Sequence, residues 1–280
     1  MSSQDNTPII IGVGQFTQQI PDDLQTCMSH YELAAEASRV ALADSGSATD
    51  LGAHIDTVVG VRTFADSTPM WGCPFGGSNN FPRSVANRVG ANPKRAIYEA
   101  IGGQTPQMLV GEYFEQLHAG ECEMVLLTGG EAMASIKVAG KQKVKLDWRE
   151  EVEGSLEDHG RFGGFRMVTR MEFEHKLMQP VQFYGLMEQA RRGELGMDEA
   201  SYNIAMAESW SKISAVAAEN PYSINRTAYT PAELLEDSAT NPMINSPYRK
   251  HLVAKDGVNQ AASLLLTTVG KAKSLGVPED

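Results

Sequence analysis

Gly102, Gly103 and Gln104 stand between an apolar run that ends at Ile101 and a helical pattern that starts at Thr105. Glycines in that place mark either a backbone that something approaches or a tight turn that binds nothing. A turn explains one glycine well, and two keep both readings open. Chemistry at the turn would need a nucleophile or a proton carrier nearby. The three cysteines, Cys27, Cys73 and Cys122, are far apart and odd in number, which fits reduced thiols in a cytoplasmic protein. Cys122 opens an apolar strand at its N-terminal end, so it is expected at the far edge of the sheet from the glycines. Cys73 lies in the loop "MWGCPFGG" and is the thiol best placed to approach them. No cysteine pair has metal-ligand spacing, and the six histidines form no HxxxH or HxxE array, so no metal site is expected. His159 and His175 read as surface loop residues.

The chain has 280 residues and a formal charge of -11, with 42% apolar and 21% charged residues. That composition is ordinary for a globular protein and long enough for one large domain carrying an insertion. The acidic balance argues against nucleic acid and anionic membrane as partners. The polar start "MSSQDNTP" is unlike a signal peptide, and no apolar run has the length of a membrane span.

The elements that must position the glycines alternate. Ile9–Val13 reads as a buried parallel strand ended by Gly14. Tyr31–Asp44 has helical spacing and stops at Ser45-Gly46. Ile55–Val61 is a second strand, residues 64–81 a loop, and Pro82–Val89 a short helix. Arg95–Ile101 is a third strand, Thr105–Ala119 an amphipathic helix and Glu123–Thr128 a fourth strand. This is the rhythm of an α/β sheet with helices on both faces. The rhythm then breaks. Residues 134–250 hold no convincing buried strand, and Gln182–Leu195 and Asp198–Ala218 look like surface helices. Ala262–Thr267 resumes the sheet as a fifth strand, followed by a short helix over Val269–Leu275. The division expected is an α/β core over 1–133, a mainly helical insertion over 134–250, and a return strand and helix over 251–280.

Several stretches, in this order and spacing, resemble the N-terminal half of the thiolase superfamily in its SCP2-thiolase-like branch. They are "IIGVGQFTQ" from Ile10, "IDTVVGVRT" from Ile55, "NFPRSVANRVGA" from Asn80, "LHAGECEMVLLTGGEAM" from Leu117 and "AKDGVNQAASLLLTTVGKAKSLGV" near the end. The resemblance implies a thiolase-like fold: a mixed five-stranded sheet with helices on both faces and an inserted loop domain. It pairs this half with a similar second half in a five-layered whole. It also implies coenzyme A or acyl-CoA as substrate or ligand, with no covalently bound cofactor, and an acetyl-CoA acetyltransferase type of activity in lipid metabolism.

In catalytic members a cysteine at the N-terminus of the helix after the third strand takes the acyl group. A helix N-terminus lowers a thiol pKa and offers N–H groups to an anionic oxygen. The aligned position here is Gly103, or Gly102 if the register is one off, so classical turnover is doubtful. The candidate substrate-binding residues are Gly102, Gly103 and Gln104 at the turn. Gln182 and Phe183 align with the loop domain's acyl pocket. Lys255, Asp256 and Asn259 belong to the segment that approaches the pantetheine arm. Arg161, Arg166, Arg191 and Arg192 offer charge for a phosphate, although ion pairs on a helix surface explain them as well.

The resemblance also implies a second half carrying a His and a second Cys. No such stretch occurs before Asp280, so a fragment of a longer protein is expected, or a partner chain that supplies the half. The resemblance further implies a homodimer through strand 95–101, the family's usual dimer edge, and "RAIYEAI" has no central Pro or Gly to block that pairing. Besides the acyltransferase reading stand a retro-aldol lyase with a small OB-fold-like partner and a non-catalytic acyl-CoA or lipid-thioester binder.

Overall fold

A computed structural model of the chain describes residues 5–67, 72–160 and 168–279. The chain divides into two compact units, one of Met1–Phe165 with Asp256–Asp280 and one of Arg166–Lys255. The helical unit therefore starts later than Ala134, because α5 (Met133–Gln142) and the chain up to His159 stay with the sheet.

The first unit is a mixed α/β sheet. Its strands are β1 (Pro8–Thr17), β2 (Thr57–Val61), β3 (Arg95–Glu99), β4 (Met124–Ala132), β5 (Glu157–Asp158) and β8 (Asn259–Thr268). Their order is β1-β8-β4-β2-β3-β5. β2, β3, β4 and β5 run parallel, whereas β8 runs antiparallel to both β4 and β1. The sheet thus has six strands rather than the expected five. The sixth is the charged pair Glu157-Asp158, which carries no apolar pattern for a sequence to display. Ile9–Val13 is also corrected: it belongs to an antiparallel edge strand, with Ile10 44% and Val13 51% exposed.

Helix α1 (His30–Asp44) starts at a capping box in which Ser29 and Glu32 satisfy each other's backbone N–H groups. Its alanine face, Ala34, Ala37 and Ala41, is fully buried against the sheet. The approach is so close that a Cβ on Gly12 or Gly14 would lie 2.0 Å from the Ala41 or Ala37 carbonyl oxygen. This is why glycines interrupt the apolar run of β1. Between α1 and the sheet, Ser38, Thr128 and Ser263 bond one another at 2.7 to 3.4 Å, so the buried hydroxyls are all partnered.

Short helix α2 (Phe64–Ser67) and α3 (Phe81–Arg88) follow β2, and α3 packs on the α1 side of the sheet. Helix α4 (Thr105–Ala119) covers the opposite face with Leu109, Tyr113 and Leu117, over Val59, Ile97, Val125 and Leu127. It stops at Gly120 in the left-handed region (φ 76°). Helix α10 (Val269–Ser274) follows β8.

The second unit comprises α6 (Arg170–Glu174), α7 (Pro180–Glu194), α8 (Glu199–Glu219) and α9 (Pro231–Leu235), with a small hairpin of β6 (Met243–Asn245) and β7 (Tyr248–Arg249). Its core is Ala207, Leu234 and Leu252, with Met206, Trp210 and Tyr229 packed around them.

Candidate functional site

Because β2, β3 and β4 are parallel, their C-terminal ends gather on one edge of the sheet. Gly102, Gly103 and Gln104 follow β3 there and lead into α4. Gln104 occupies the N-cap position without a side-chain cap bond, and Pro106 in the first turn contributes no donor. The turn is closed by Thr105 N–H donating to the Gly102 carbonyl at 3.2 Å.

Neither glycine adopts a positive φ. A Cβ on Gly102 would lie 2.7 Å from Thr105 Oγ1 and 2.8 Å from Gln104 Nε2. Among the described residues, a Cβ on Gly103 would meet nothing within 4 Å. Backbone conformation and crowding among those residues therefore leave Gly103 unexplained.

The same edge carries groups that sequence reasoning did not single out. Tyr98 hydroxyl donates to Asp66 Oδ2 at 2.7 Å and accepts from Thr63 N–H at 3.4 Å. Phe64 N–H donates to Glu131 Oε1 at 2.6 Å. Burial drives the Glu131 carboxyl up to about 7, helped by Asp66 and opposed by the Phe64 bond. Burial likewise raises the Tyr98 phenol well above its ordinary range, again with Asp66 adding to it. His30 is fully enclosed, and burial lowers its pKa despite Asp66 and Glu32. It stacks on Phe81 at 5.6 Å, and Phe81 stacks on Tyr98 at 5.3 Å. The available signal was Glu131 itself, an acid directly after Gly129-Gly130 at the end of a buried strand.

The turn itself carries no sulfur. Cys122 is buried just before β4, at the opposite edge of the sheet, and burial raises its thiol to about 12. Cys73 packs against the core beside α1 and is also raised, chiefly by burial. His159 is held by Glu99, with Nδ1 2.6 Å from Oε1. His175 caps α6 and is exposed.

The remaining candidates fall on both units. The side-chain oxygen of Gln182 is held at the start of its own helix, with Met178 and Gln179 N–H groups donating to Oε1 at 2.8 and 2.9 Å. Phe183 is half-buried on α7. Lys255 and Asp256 are exposed, and Asp256 pairs with Lys137 at 2.5 Å. Asn259 is fully buried: its Nδ2 donates to Ser135 Oγ at 2.9 Å and to Gln18 O at 3.4 Å, and Oδ1 accepts from Ser135 N–H at 3.0 Å. It ties β8 to β1 and to α5. Arg192 bonds Gln189 and the Met197 carbonyl at the end of α7, and Arg191 is exposed. Arg161 and Arg166 lie outside the described residues. Among the described residues no group of His, Cys, Asp and Glu could hold a metal ion, and no helix is long and apolar enough to cross a membrane.

A mixed sheet with its parallel strands ending at a glycine turn, and with a large helical insertion before the last strand, defines the N-terminal half of the thiolase-superfamily fold, and this chain has it. At 38% identity it is similar to a monomeric SCP2-thiolase-like protein type 1 from Mycobacterium smegmatis, with a TM-score of 0.74 over 98% of this chain and 48% of that one. The chain thus spans about half the length of that relative. The fold is shared with the Ltp2–ChsH2(DUF35) aldolase, at 14% identity and TM-score 0.58 over 97% of this chain and 58% of that one. It is shared also with human mitochondrial 3-ketoacyl-CoA thiolase in complex with CoA, at 12% identity and TM-score 0.55 over 97% and 67%. No protein-family model matches the chain, and no curated protein does.

Proposed function

We propose that this chain is half of a thiolase-fold protein that binds coenzyme A thioesters without taking the acyl group onto itself. The observation that carries the reading is the turn before α4, which is uncapped, uncrowded at Gly103 among the described residues and without a thiol. Backbone N–H groups and the positive end of a helix favour a thioester oxygen on which negative charge develops. Transfer of the acyl group to the protein would need a nucleophilic atom at the turn, and glycine has none. In this reading Gly102, Gly103 and Gln104 form the carbonyl site of the first unit; Phe183, in the second unit, is a candidate for the acyl chain by the resemblance alone. Lys255 is a candidate for the phosphates by the resemblance, Gln182 holds the start of its own helix, and Asp256 and Asn259 hold the start of β8 to α5. A second α/β half, later in the same polypeptide or on a partner chain, completes the site. The support is the relative of about twice this length, together with Val13, Ile10 and Met108 exposed on the α4 side.

Calorimetry with acetyl-CoA, on this chain combined with its second half, tests the reading. Saturable binding is expected, with no acetyl adduct in the intact mass and no thiolysis of acetoacetyl-CoA. Absence of heat and of any thermal shift sinks it, and an adduct on Cys73 converts it to acyl transfer.

One observation favours a retro-aldol lyase as the second reading. Glu131, near pH 7 and on the same edge as the glycine turn, suits proton transfer without a sulfur nucleophile. Copurification with an OB-fold-like partner, and cleavage of a 3-hydroxyacyl-CoA that Glu131→Gln abolishes, would support it.

A further inference from the structure

The outer side of β3 is guarded by three consecutive residues. Glu157 and Asp158 lie opposite Ile97 and Tyr98, and the His159 N–H donates to the Tyr98 carbonyl at 3.1 Å. Each guard residue finds a charge on the strands beneath it. Glu157 takes Arg95 through two bonds of 3.0 and 2.8 Å. Asp158 takes Arg62 at 2.5 Å, and Arg62 lies 4.1 Å over the Tyr98 ring. His159 meets Glu99 at 2.6 Å. The segment is anchored before it begins, since Arg83 Nε donates to the Ser155 carbonyl at 3.2 Å. It is closed after it ends by Gly160 N–H on Asp158 Oδ1 at 2.7 Å.

The strand being guarded is self-complementary. Set antiparallel to a copy of itself about Ile97, "RAIYE" puts Arg95 opposite Glu99 and Glu99 opposite Arg95. Opposite charges directly across a strand pair stabilise it. These are the two charges that Glu157 and His159 occupy. A five-residue edge free of Pro and Gly is a template for pairing, and a short charged strand laid on it removes the template.

We propose that residues 157–159 are an edge strap that competes with a second copy of this chain for β3, and that the closed strap keeps the chain from pairing edge to edge. The strap replaces both the backbone partners and the charge partners that a copy would bring. This inference does not depend on coenzyme A binding.

The test is sedimentation velocity over a wide concentration range, with hydrogen exchange of the 95–99 amides. The wild-type chain should sediment at its own mass, 30.4 kDa, at every concentration, with those amides protected throughout. The triple variant Glu157→Arg, Asp158→Arg, His159→Glu sets like charges against Arg95, Arg62 and Glu99. It should form a species of twice the mass as concentration rises, with the outward amides of Ala96 and Tyr98 protected only in that species, while the amides that face β2 stay protected in both. Adding Arg95→Glu restores an ion pair with the arginine introduced at position 157 and opposes Glu99 of a copy, so the chain should return to monomer. A folded triple variant that stays monomeric overturns the proposal. So does a dimer that Arg95→Glu leaves intact, or wild-type dimerisation as strong as the variant's. If the triple variant does not fold, Glu157→Arg alone is read by the same criteria.

Discussion

Replacing Glu131 by Gln should make the chain more stable at pH 8 and change it little at pH 5. Burial lifts the Glu131 carboxyl from its ordinary 4.5 to about 7. The folded chain therefore holds a proton that the unfolded chain releases across this interval, and wild-type stability falls as pH rises from about 4.5 to about 7. Below that window both states are protonated and the carboxyl costs nothing. Above it the folded state carries a buried charge beside Asp66. At about 1.4 kcal/mol per pH unit, the full cost is about 3 kcal/mol. Gln keeps the shape and an oxygen for the Phe64 N–H, whose bond to the charged form is already inside that figure, but it brings an amide NH2 group whose burial costs about 1 kcal/mol. A net gain of about 1–3 kcal/mol is expected at pH 8. Urea unfolding of both proteins in parallel, from pH 5 to 8.5, reads the difference directly and cancels the other titrating groups. A difference that does not change with pH, or a variant less stable at pH 8 than at pH 5 relative to wild type, refutes the reasoning.

Three further outcomes follow from the geometry. Gly103→Cys places a thiol at a helix N-terminus, and at pH 7 it should react with a disulfide reagent at least ~10-fold faster than Cys73 or Cys122, whose thiols burial raises; equal rates would show that the turn does not activate sulfur. Gly60→Ala puts a Cβ 2.5 Å from Phe81, which is 1% exposed and stacked between His30 and Tyr98, so denaturant melts should show a loss of about 1–3 kcal/mol. Asn259→Ala strands the Ser135 N–H in the interior and should cost about 1–3 kcal/mol by the same melts. A variant of unchanged stability would return Asn259 to a role toward ligand.

Several elements were legible locally because neighbours in sequence supply the forces that form them. The Thr105–Ala119 helix has Pro in its first turn, apolar residues at helical spacing and Gly120 where a left-handed residue is needed, and it forms over those residues. The end of α1 at Ser45-Gly46 and the return strand after the insertion follow from the same kind of pattern. The order of the quoted stretches carried the fold of a thiolase N-terminal half.

Tertiary structure decided what depends on partners distant in the chain. "IIIGV" does not say whether both its faces are covered; α1 presses on Gly12 and Gly14 from one side, while Val13 on the other stays open. Glu157-Asp158 has no strand propensity and becomes β5 only because β3 offers free hydrogen-bonding groups and Arg95 and Arg62 offer charge. Glu131 is an ordinary acid until burial beside Asp66 moves its proton affinity. Asn259 bonds Ser135 and Gln18 through both of its side-chain polar atoms, and the side-chain oxygen of Gln182 accepts from its own helix start. Sequence determined the periodic elements and the absence of a thiol from the turn before α4, because both are local. Which edges are closed, which acids keep their protons and which polar side chains are already partnered are long-range matters, set by burial and pairing between residues tens of positions apart.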